Sequence, residues 1–288
     1  FSQIVRDFSA LLGVESWEEA QTMFQRAASR KPDHWLMPVR ACEAVGGSQE
    51  HALPAMLAIA CAHVGILLVD DMLDDDPRSD YHRIGMPASS NLACAFQAAA
   101  LHAVARCAKE PSARLVALTS FNELFLSTAF GQFLDVQVPA DEAAYWRTTR
   151  AKSSPFFGAA LQVGALAGGG TLEVAERLKE LGRLYGEMIQ VHDDMHDVME
   201  TPANPDWVQG RLPLPILFAS LVEHPEQARF LELNRRIGEP GALQEAQELT
   251  VRYAVLARQI SEQTNDQTHR QELQRIADIC LCISEQPP

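Results

Sequence analysis

The chain has 288 residues, of which 47% are hydrophobic and 22% charged, and a formal net charge of −14 at pH 7. This balance is typical of a soluble globular protein, and the length admits one large domain or two smaller ones. The acidic charge argues against a nucleic-acid partner, because phosphate backbones are bound by stripes of Lys and Arg. An anionic substrate would have to be recruited through metal ions.

Helical periodicity runs through almost the whole chain, and no convincing alternating strand is present. In chain order the predicted helices are 16–29, 38–45, 51–74, 88–108, 112–138, 141–167, 172–200, 212–222, 225–237, 241–264 and 267–284. Glycines and prolines interrupt the pattern between them. Asp141 and Thr171 are predicted to cap the helices that follow them. Because no charge-rich or Ser/Gly linker divides the sequence, we expect one all-α domain over residues 1–288.

Residues 52–69 form an uncharged run of 18, the lower limit for a membrane-spanning helix. The run contains Pro54, His63 and Gly65, is rich in Ala, and ends directly in aspartates. A buried core helix is therefore the better interpretation. We predict no transmembrane segment and leave peripheral contact with a membrane open.

The six cysteines show no zinc-type spacing. They are interpreted as reduced thiols of a cytoplasmic protein, since several lie in apolar helical stretches. No signal peptide is visible.

Two aspartate clusters read DDxxD: Asp70-Asp71-Met72-Leu73-Asp74 and Asp193-Asp194-Met195-His196-Asp197. The first and last carboxylates of each would lie on one helix face, about 5–6 Å apart at Cβ, where like charges destabilise a helix. A hard divalent cation would neutralise this repulsion, and Mg²⁺ shares its coordination sphere with substrate phosphate. The two clusters could thus bind one diphosphate through bridging metal ions. The alternative is that each cluster is a solvated helix end. This explanation is adequate for a single acidic cluster and less so for two.

A loop rich in polar residues and proline follows each cluster, at residues 75–87 and 201–215, and each contains arginine. Loops beside a metal site can act as lids, and arginine can pair bidentately with phosphate. Simple surface loops are the alternative.

An ordered set of motifs resembles the all-trans prenyl diphosphate synthases (polyprenyl synthetases) of the isoprenoid synthase fold, over about residues 30–217. The set comprises His63 seven residues before Asp70, the first DDxxD, Arg83-Ile84-Gly85-Met86-Pro87 at an RRGxP motif, Gly131-Gln132-Phe133-Leu134-Asp135 at GQxxD, Lys152-Ser153 at Lys-Thr, Gln190 before the second DDxxD, and Gly210-Arg211 at a Gly-Lys.

This resemblance implies a single helical bundle around a central apolar cavity, and we expect a homodimer. It implies three Mg²⁺ ions around an allylic prenyl diphosphate, with Asp70, Asp74 and Asp193 as their ligands. The other motif residues are assigned to catalysis (Asp71, Asp194, Asp197, Lys152) or to substrate binding (Arg83, Gln132, Asp135, Ser153, Gln190, Arg211, His63). Metal ions and basic side chains would stabilise the charge on the departing diphosphate, while an apolar cavity would exclude water from the allylic cation.

The sequence departs from the family where the diphosphate of isopentenyl diphosphate would bind. His34, Met37 and Ile84 occupy three positions that are basic in the family. A charged hydrogen bond contributes roughly 1.5–3 kcal/mol, so this loss should leave little affinity for a second diphosphate. Alternatively, Lys31 and Arg40 serve the same site.

Three functions remain open. The first is a prenyltransferase with an acceptor other than isopentenyl diphosphate. The second is a class I terpene cyclase, in which a double bond of the substrate attacks the cation. The third is a non-catalytic partner subunit of a prenyl synthase, which the intact aspartate motifs disfavour.

Product length is predicted from the positions four and five residues before Asp70, where the resemblance places chain-shortening bulky residues. Here they are Ile66 and Gly65. We expect an open cavity floor and a long prenyl chain. Helix packing at Gly65 is the alternative.

Overall fold

The all-α prediction is confirmed by the computed structural model, which describes residues 1–74, 79–137, 141–221, 227–239, 241–250 and 252. The described residues contain no strand. Their helices are α1 (Ser2–Ser9), α2 (Glu18–Ser29), a 3₁₀ helix (Asp33–Leu36), α3 (Met37–Ala44), α4 (Gln49–Asp74), α5 (Tyr81–Ile84), α6 (Met86–Val104), α7 (Pro111–Asp135), α8 (Glu142–Lys152), α9 (Ser154–Ala167), α10 (Leu172–Met199), α11 (Pro205–Val208), α12 (Leu214–Leu221) and α13 (Gln227–Arg235). Residues 242–250 are also helical.

The predicted helix over 141–167 is in fact two helices, α8 and α9. Pro155 lies in the first turn of α9, where a missing backbone N–H breaks no helical hydrogen bond. The caps were predicted correctly: Ala144 N–H donates to Asp141 Oδ1 at 2.7 Å, and Val174 N–H donates to Thr171 Oγ1 at 3.2 Å.

Three short α-helices and the 3₁₀ helix Asp33–Leu36 were not predicted. The helix α1 buries only Ile4 and Phe8, while α5 and α11 are single turns inside segments interpreted as loops. The predicted helix at 267–284 and residues 253–264 of the preceding one lie outside the described residues. Asp75 and Asp76 do so as well.

The chain divides into two compact units. Unit 1 comprises Phe1–Phe133 and Thr149–Glu187, and unit 2 comprises Leu134–Thr148 and the residues from Met188 onward. The single domain over 1–288 and its central cavity stay predictions. We describe each unit by itself.

Unit 1 is built around α4, which packs against α3, α6 and α9. This helix is long and apolar enough to cross a membrane by length and composition, but 67% of its most apolar window is buried inside the fold. That burial supports the interpretation as a core helix. Gly65 lies at the contact with α6, where a Cβ would meet Ala93 O and Phe96 Cβ at 3.3 Å each. The structure therefore favours the packing alternative at Gly65.

Unit 2 has its own apolar core around the buried side chains of Trp207, Leu214, Phe218 and Phe230. Tyr145 of α8 and Val198 of α10 pack into this core. The C-terminal half of α10, with the second aspartate cluster, is thereby held in unit 2.

Gly164 provides a test of the packing between α3 and α9. A Cβ at this position would overlap the carbonyl oxygen of Pro38, and the other nearest atoms are also Pro38 backbone. Alanine favours a helix over glycine by about 1 kcal/mol, but backbone atoms cannot rotate away as a side chain can. We expect Gly164→Ala to lower the free energy of unfolding by roughly 1–3 kcal/mol, measured by urea unfolding followed by circular dichroism. Gly65→Ala, with its looser contacts, is the matched control and should cost less; equal stabilities would contradict this packing.

Candidate active site

Asp70 lies near the C-terminal end of α4, in contact with the side chains of two other residues of unit 1. Gln132 Nε2 of α7 donates a hydrogen bond to Asp70 Oδ1, and Lys152 Nζ of α8 lies 3.3 Å from the same oxygen. The Asp70 and Lys152 side chains are 27% and 22% exposed, so solvent reaches the pair. Three motif residues that are distant in sequence thus meet in unit 1, and their roles toward metal and substrate stay predictions.

The close crossing of α7 and the end of α8 explains this meeting. A Cβ at Gly131 would overlap the backbone nitrogen of Lys152, so only glycine fits at this crossing. Two hydroxyls of α7 fix the end of α8: Ser127 Oγ donates to Ala151 O at 3.2 Å, and Thr128 Oγ1 to Lys152 O at 3.4 Å. Gly131 therefore permits the approach that places Lys152 beside Asp70.

The carboxylates of the first motif are suited to a shared Mg²⁺ site. Asp70 and Asp74 are one helical turn apart on α4, and both are partly buried. Within the described part of the chain, no three side chains of His, Cys, Asp or Glu converge to hold a metal ion alone. Mg²⁺ is usually held by one or two carboxylates together with water and substrate phosphate. The donors present therefore fit an ion completed by a diphosphate, and do not fit a closed protein cage.

A group of aromatic rings surrounds His63, two turns before Asp70 on α4. Trp35 Nε1–H donates to His63 Nδ1 at 3.2 Å. The His34 ring stands edge-on to His63, with ring centroids 4.3 Å apart, and Phe156 of α9 lies 5.6–5.7 Å from both imidazoles. Phe157 lies 6.5 Å from His34. We call His34, Trp35, His63, Phe156 and Phe157 the imidazole cluster.

Both imidazoles of this cluster are neutral at neutral pH. Burial, and to a smaller extent the neighbouring His34, lowers the pKa of His63 from 6.5 to about 3. Burial also lowers the pKa of His34, against a smaller opposing effect of Asp33. The cluster therefore carries no imidazolium charge with which to bind an anion.

The other two positions that depart from the family take part in the core of unit 1. Met37 is buried, and Ile84 of α5 is partly buried against the core. Gly85 follows with a φ of +86°, a conformation that favours glycine, and connects α5 to α6. Lys31 and Arg40, the alternative basic residues, are both exposed.

Arg83, predicted to bind diphosphate, is a largely exposed residue of α5. Its guanidinium lies 3.5 Å from Asp80, and Arg26 also pairs with Asp80. Its role toward diphosphate stays a prediction, as do those of Asp71, Asp135 and Ser153. Ile66 is partly buried against the unit 1 core.

In unit 2, the second motif contains one fully engaged carboxylate, Asp194. Its Oδ2 accepts hydrogen bonds from Tyr145 O–H and Leu214 N–H, each at 2.8 Å, and its Oδ1 accepts one from Gln190 Nε2 at 2.9 Å. Burial is the main cause that raises the Asp194 pKa to about 6. With both oxygens occupied, Asp194 joins α8, α10 and the start of α12, which is a positioning role.

Asp193, the residue of this motif predicted to bind metal, has a different environment. Its side chain is 61% exposed, and its Oδ1 lies 3.7 Å from His192 Nδ1. Asp197 and Arg211 are partly buried. Asp193 is thus the accessible member of the adjacent pair, and its assignment as a metal ligand stays a prediction.

Sequence reasoning missed two partners in these sites, Tyr145 and Trp35. Each forms a hydrogen bond to a motif residue far away along the chain. Neither has a local sequence signal, because aromatic residues in helical segments are usually part of the core.

Comparison with known proteins identifies the family. The family model for polyprenyl synthetases matches residues 34–250. The chain belongs to the polyprenyl synthetase family. It is 32% identical to a geranylgeranyl diphosphate synthase of Methanosarcina mazei over 173 residues, which are 56% of this chain and about half, 52%, of that relative. It is 25% identical to a short chain isoprenyl diphosphate synthase of Methanothermobacter thermautotrophicus over 272 residues, covering 83% of this chain and 82% of the relative.

Solved structures show the same fold. The geranylgeranyl pyrophosphate synthetase of Pyrococcus horikoshii matches with a TM-score of 0.76 and 20% identity, over 99% of this chain and 96% of that one. A polyprenyl synthase of Caulobacter crescentus, complexed with calcium and isoprenyl diphosphate, matches with a TM-score of 0.70 and 22% identity, over 99% and 94%. The predicted isoprenoid synthase fold is confirmed.

The depressed pKa of His63 predicts how stability depends on pH. Below pH 6.5 the unfolded chain protonates this histidine, whereas the folded protein resists protonation until about pH 3. The contribution of His63 to stability is therefore complete above pH 6.5 and is lost as the pH falls toward 3. Urea unfolding at several pH values should show a shallower decline for His63→Asn than for the wild type. The matched control is His102→Asn, at an exposed histidine of α6, which should keep the wild-type slope; equal slopes for all three would contradict the assignment.

Proposed function

We propose that this chain is a Mg²⁺-dependent prenyltransferase that ionises an all-trans allylic prenyl diphosphate and transfers the prenyl group to an acceptor. The observation that carries the proposal is the meeting of Asp70, Gln132 and Lys152 in a chain of this family. A carboxylate beside an ammonium group, partly open to solvent, offers both a metal ligand and a cation for a diphosphate oxygen. The relatives named as prenyl diphosphate synthases support the same reaction class.

The roles of the residues follow from the charge that develops on the departing diphosphate. Asp70, Asp74 and Asp193 would hold the metal, with three Mg²⁺ ions proposed; when bound, they neutralise the diphosphate charge. Gln132 fixes the orientation of Asp70 through Oδ1. Lys152 Nζ lies 3.3 Å from that oxygen. Its ammonium group can leave this ion pair and bind a diphosphate oxygen as the C–O bond breaks. Asp194 would keep α10 in place through its three hydrogen bonds.

The acceptor is proposed to be different from isopentenyl diphosphate. Two of the three altered positions, Met37 and Ile84, contribute to the apolar core, and the third, His34, is a neutral ring. A diphosphate needs several cationic donors to offset its desolvation. The same observation admits a second candidate, a class I terpene cyclase, because a cyclase uses a single substrate. A non-catalytic partner subunit is disfavoured by the retained Asp70–Lys152 pair.

A cytoplasmic homodimer is the proposed state of the protein. Unit 1 exposes apolar side chains at helical spacing on α7 (Leu126, Phe130, Phe133) and on α10 (Leu181, Leu184, Tyr185). Exposed apolar stripes of this kind mark interaction surfaces. Cys42, Cys61, Cys94 and Cys107 are free thiols, which supports a reducing compartment.

Removal of a proposed metal ligand should abolish most turnover. We expect Asp70→Asn and Asp193→Asn each to lower the rate of pyrophosphate release by about a hundredfold or more, since electrostatic stabilisation of a developing charge contributes several kcal/mol. The measurement is pyrophosphate release from geranyl, farnesyl and geranylgeranyl diphosphate, with Mg²⁺ and with a chelator. Asp7→Asn, at a surface hydrogen bond with Gln3 on α1, is the matched control. Release at background level with all three substrates would refute the proposed activity.

Product analysis should separate the transferase from the cyclase. Farnesyl and geranylgeranyl diphosphate are incubated with Mg²⁺, with and without isopentenyl diphosphate, and products are followed by gas and liquid chromatography with mass spectrometry. We expect no five-carbon elongation, because His34, Met37 and Ile84 provide no cation. A cyclic hydrocarbon from one substrate alone would select the cyclase, and efficient elongation would show that other basic residues serve the second diphosphate.

A further inference from the structure

The imidazole cluster contains a buried polar atom without a partner. His34 Nε2 is inaccessible to solvent and makes no hydrogen bond to any described residue. Buried side-chain nitrogen atoms are nearly always hydrogen-bonded, and each exception calls for a ligand, a water molecule or a functional reason. His63 is satisfied differently, because its Nδ1 accepts the Trp35 N–H, so in the neutral ring the proton lies on Nε2.

The rings around His34 form an uncharged and aromatic environment. The His34 ring meets His63, Phe156 and Phe157 at interplanar angles of 67°, 73° and 78°, all edge-to-face. Flat rings prefer this geometry, and a further aromatic ring gains from the same contacts. A phosphate group would contact only neutral rings here, and such contacts do not offset the free-energy cost of its desolvation.

The cluster is connected to the proposed diphosphate site through α4 and through the junction of α8 and α9. His63 precedes Asp70 by seven residues on α4, which is two turns on one face and about 10 Å of helix. Phe156 follows Lys152 by four residues, just after the junction of α8 and α9. The Asp70–Lys152 pair and the imidazole cluster therefore lie about two helical turns apart along α4, within unit 1.

We propose that the imidazole cluster binds a neutral aromatic acceptor that carries an N–H or O–H group, such as an indole or a phenol, and that this group donates its hydrogen bond to His34 Nε2. This inference rests on the proposed function, whose acceptor it specifies. In the transfer step the allylic C–O bond breaks with both electrons leaving on the diphosphate. An acceptor atom that bears a hydrogen then bonds to the allylic carbon, and its proton passes to His34 and on to solvent. The products are the prenylated acceptor, diphosphate and one proton.

The binding test compares indole with indene, which has a similar shape but lacks the N–H. Isothermal titration of the full chain is carried out with Mg²⁺ and an unreactive farnesyl diphosphate analogue present. A site built around a hydrogen-bond acceptor should favour indole by about tenfold or more. His34→Leu should remove this discrimination, whereas His102→Leu, at an exposed histidine of α6, should retain it.

The turnover test separates binding from proton uptake. With farnesyl diphosphate, indole and Mg²⁺, we expect prenylated indole and pyrophosphate in equal amounts by mass spectrometry and a coupled assay. His34→Gln keeps an acceptor near the Nε2 position but is not a base, so it should keep the KM for indole near the wild-type value and lower kcat. His34→Leu should raise the KM for indole by about tenfold while the KM for farnesyl diphosphate changes less than twofold, which also excludes general misfolding.

Failures of the inference and of the proposed function are distinguishable. If wild-type protein binds indole and indene equally, or if His34→Leu keeps the preference, then water satisfies His34 Nε2 and the inference is overturned. If discrimination is found but no allylic diphosphate is ever ionised, the proposed function fails while the binding site stands. A cyclic product from farnesyl diphosphate alone, unaffected by indole, would overturn the acceptor role.

Discussion

The burial of α4 is the constraint on which the rest of unit 1 depends. The uncharged run over residues 52–69 of this helix is largely buried, and α3, α6 and α9 pack against the helix. Small residues allow this, as Gly164 does against the backbone of Pro38 and Gly65 does against α6. Because the helix is fixed so firmly, the carboxylates at its C-terminal end have a defined position. An acidic cluster on a frayed helix end could not be oriented in this way.

The fixed position of α4 brings Asp70 into contact with polar side chains from other helices. Its carboxylate meets an amide from α7 and an ammonium from α8, and Gly131 allows these two helices to cross without a side chain between them. In unit 2 the second motif uses its carboxylates differently, since buried Asp194 accepts three hydrogen bonds and Asp193 faces solvent. Adjacent aspartates in one motif thus divide into a positioning residue and an accessible one. The difference comes from burial, which only the fold determines.

The imidazole cluster and Asp70 lie in surroundings of different polarity, although both are positioned by α4. Along α4 the surroundings change from charged at Asp70 to neutral and aromatic at His63 over two helical turns. Such a gradient suits the chemistry of allylic diphosphates, in which an anionic leaving group and an apolar cation must be held at either side of one bond. Met37 and Ile84 contribute to the core of unit 1, and His34 Nε2 is a buried polar atom with no hydrogen bond to a described residue.

The sequence by itself determined the features that depend on local spacing. Helical periodicity located α4, α7 and α10, the caps at Asp141 and Thr171 followed from residue type, and the DDxxD spacing placed Asp70 and Asp74 on one face. The break at Pro155 was missed because the helical pattern over 141–167 was followed across it, although a proline in a helix interior is itself a signal for a break. Only the tertiary structure decided that Tyr145 binds Asp194, that Trp35 binds His63 and that Gly65 is a packing position. Periodicity and charge spacing act over one or two helical turns, whereas these contacts join segments 28 or more residues apart, and their geometry depends on how the helices pack.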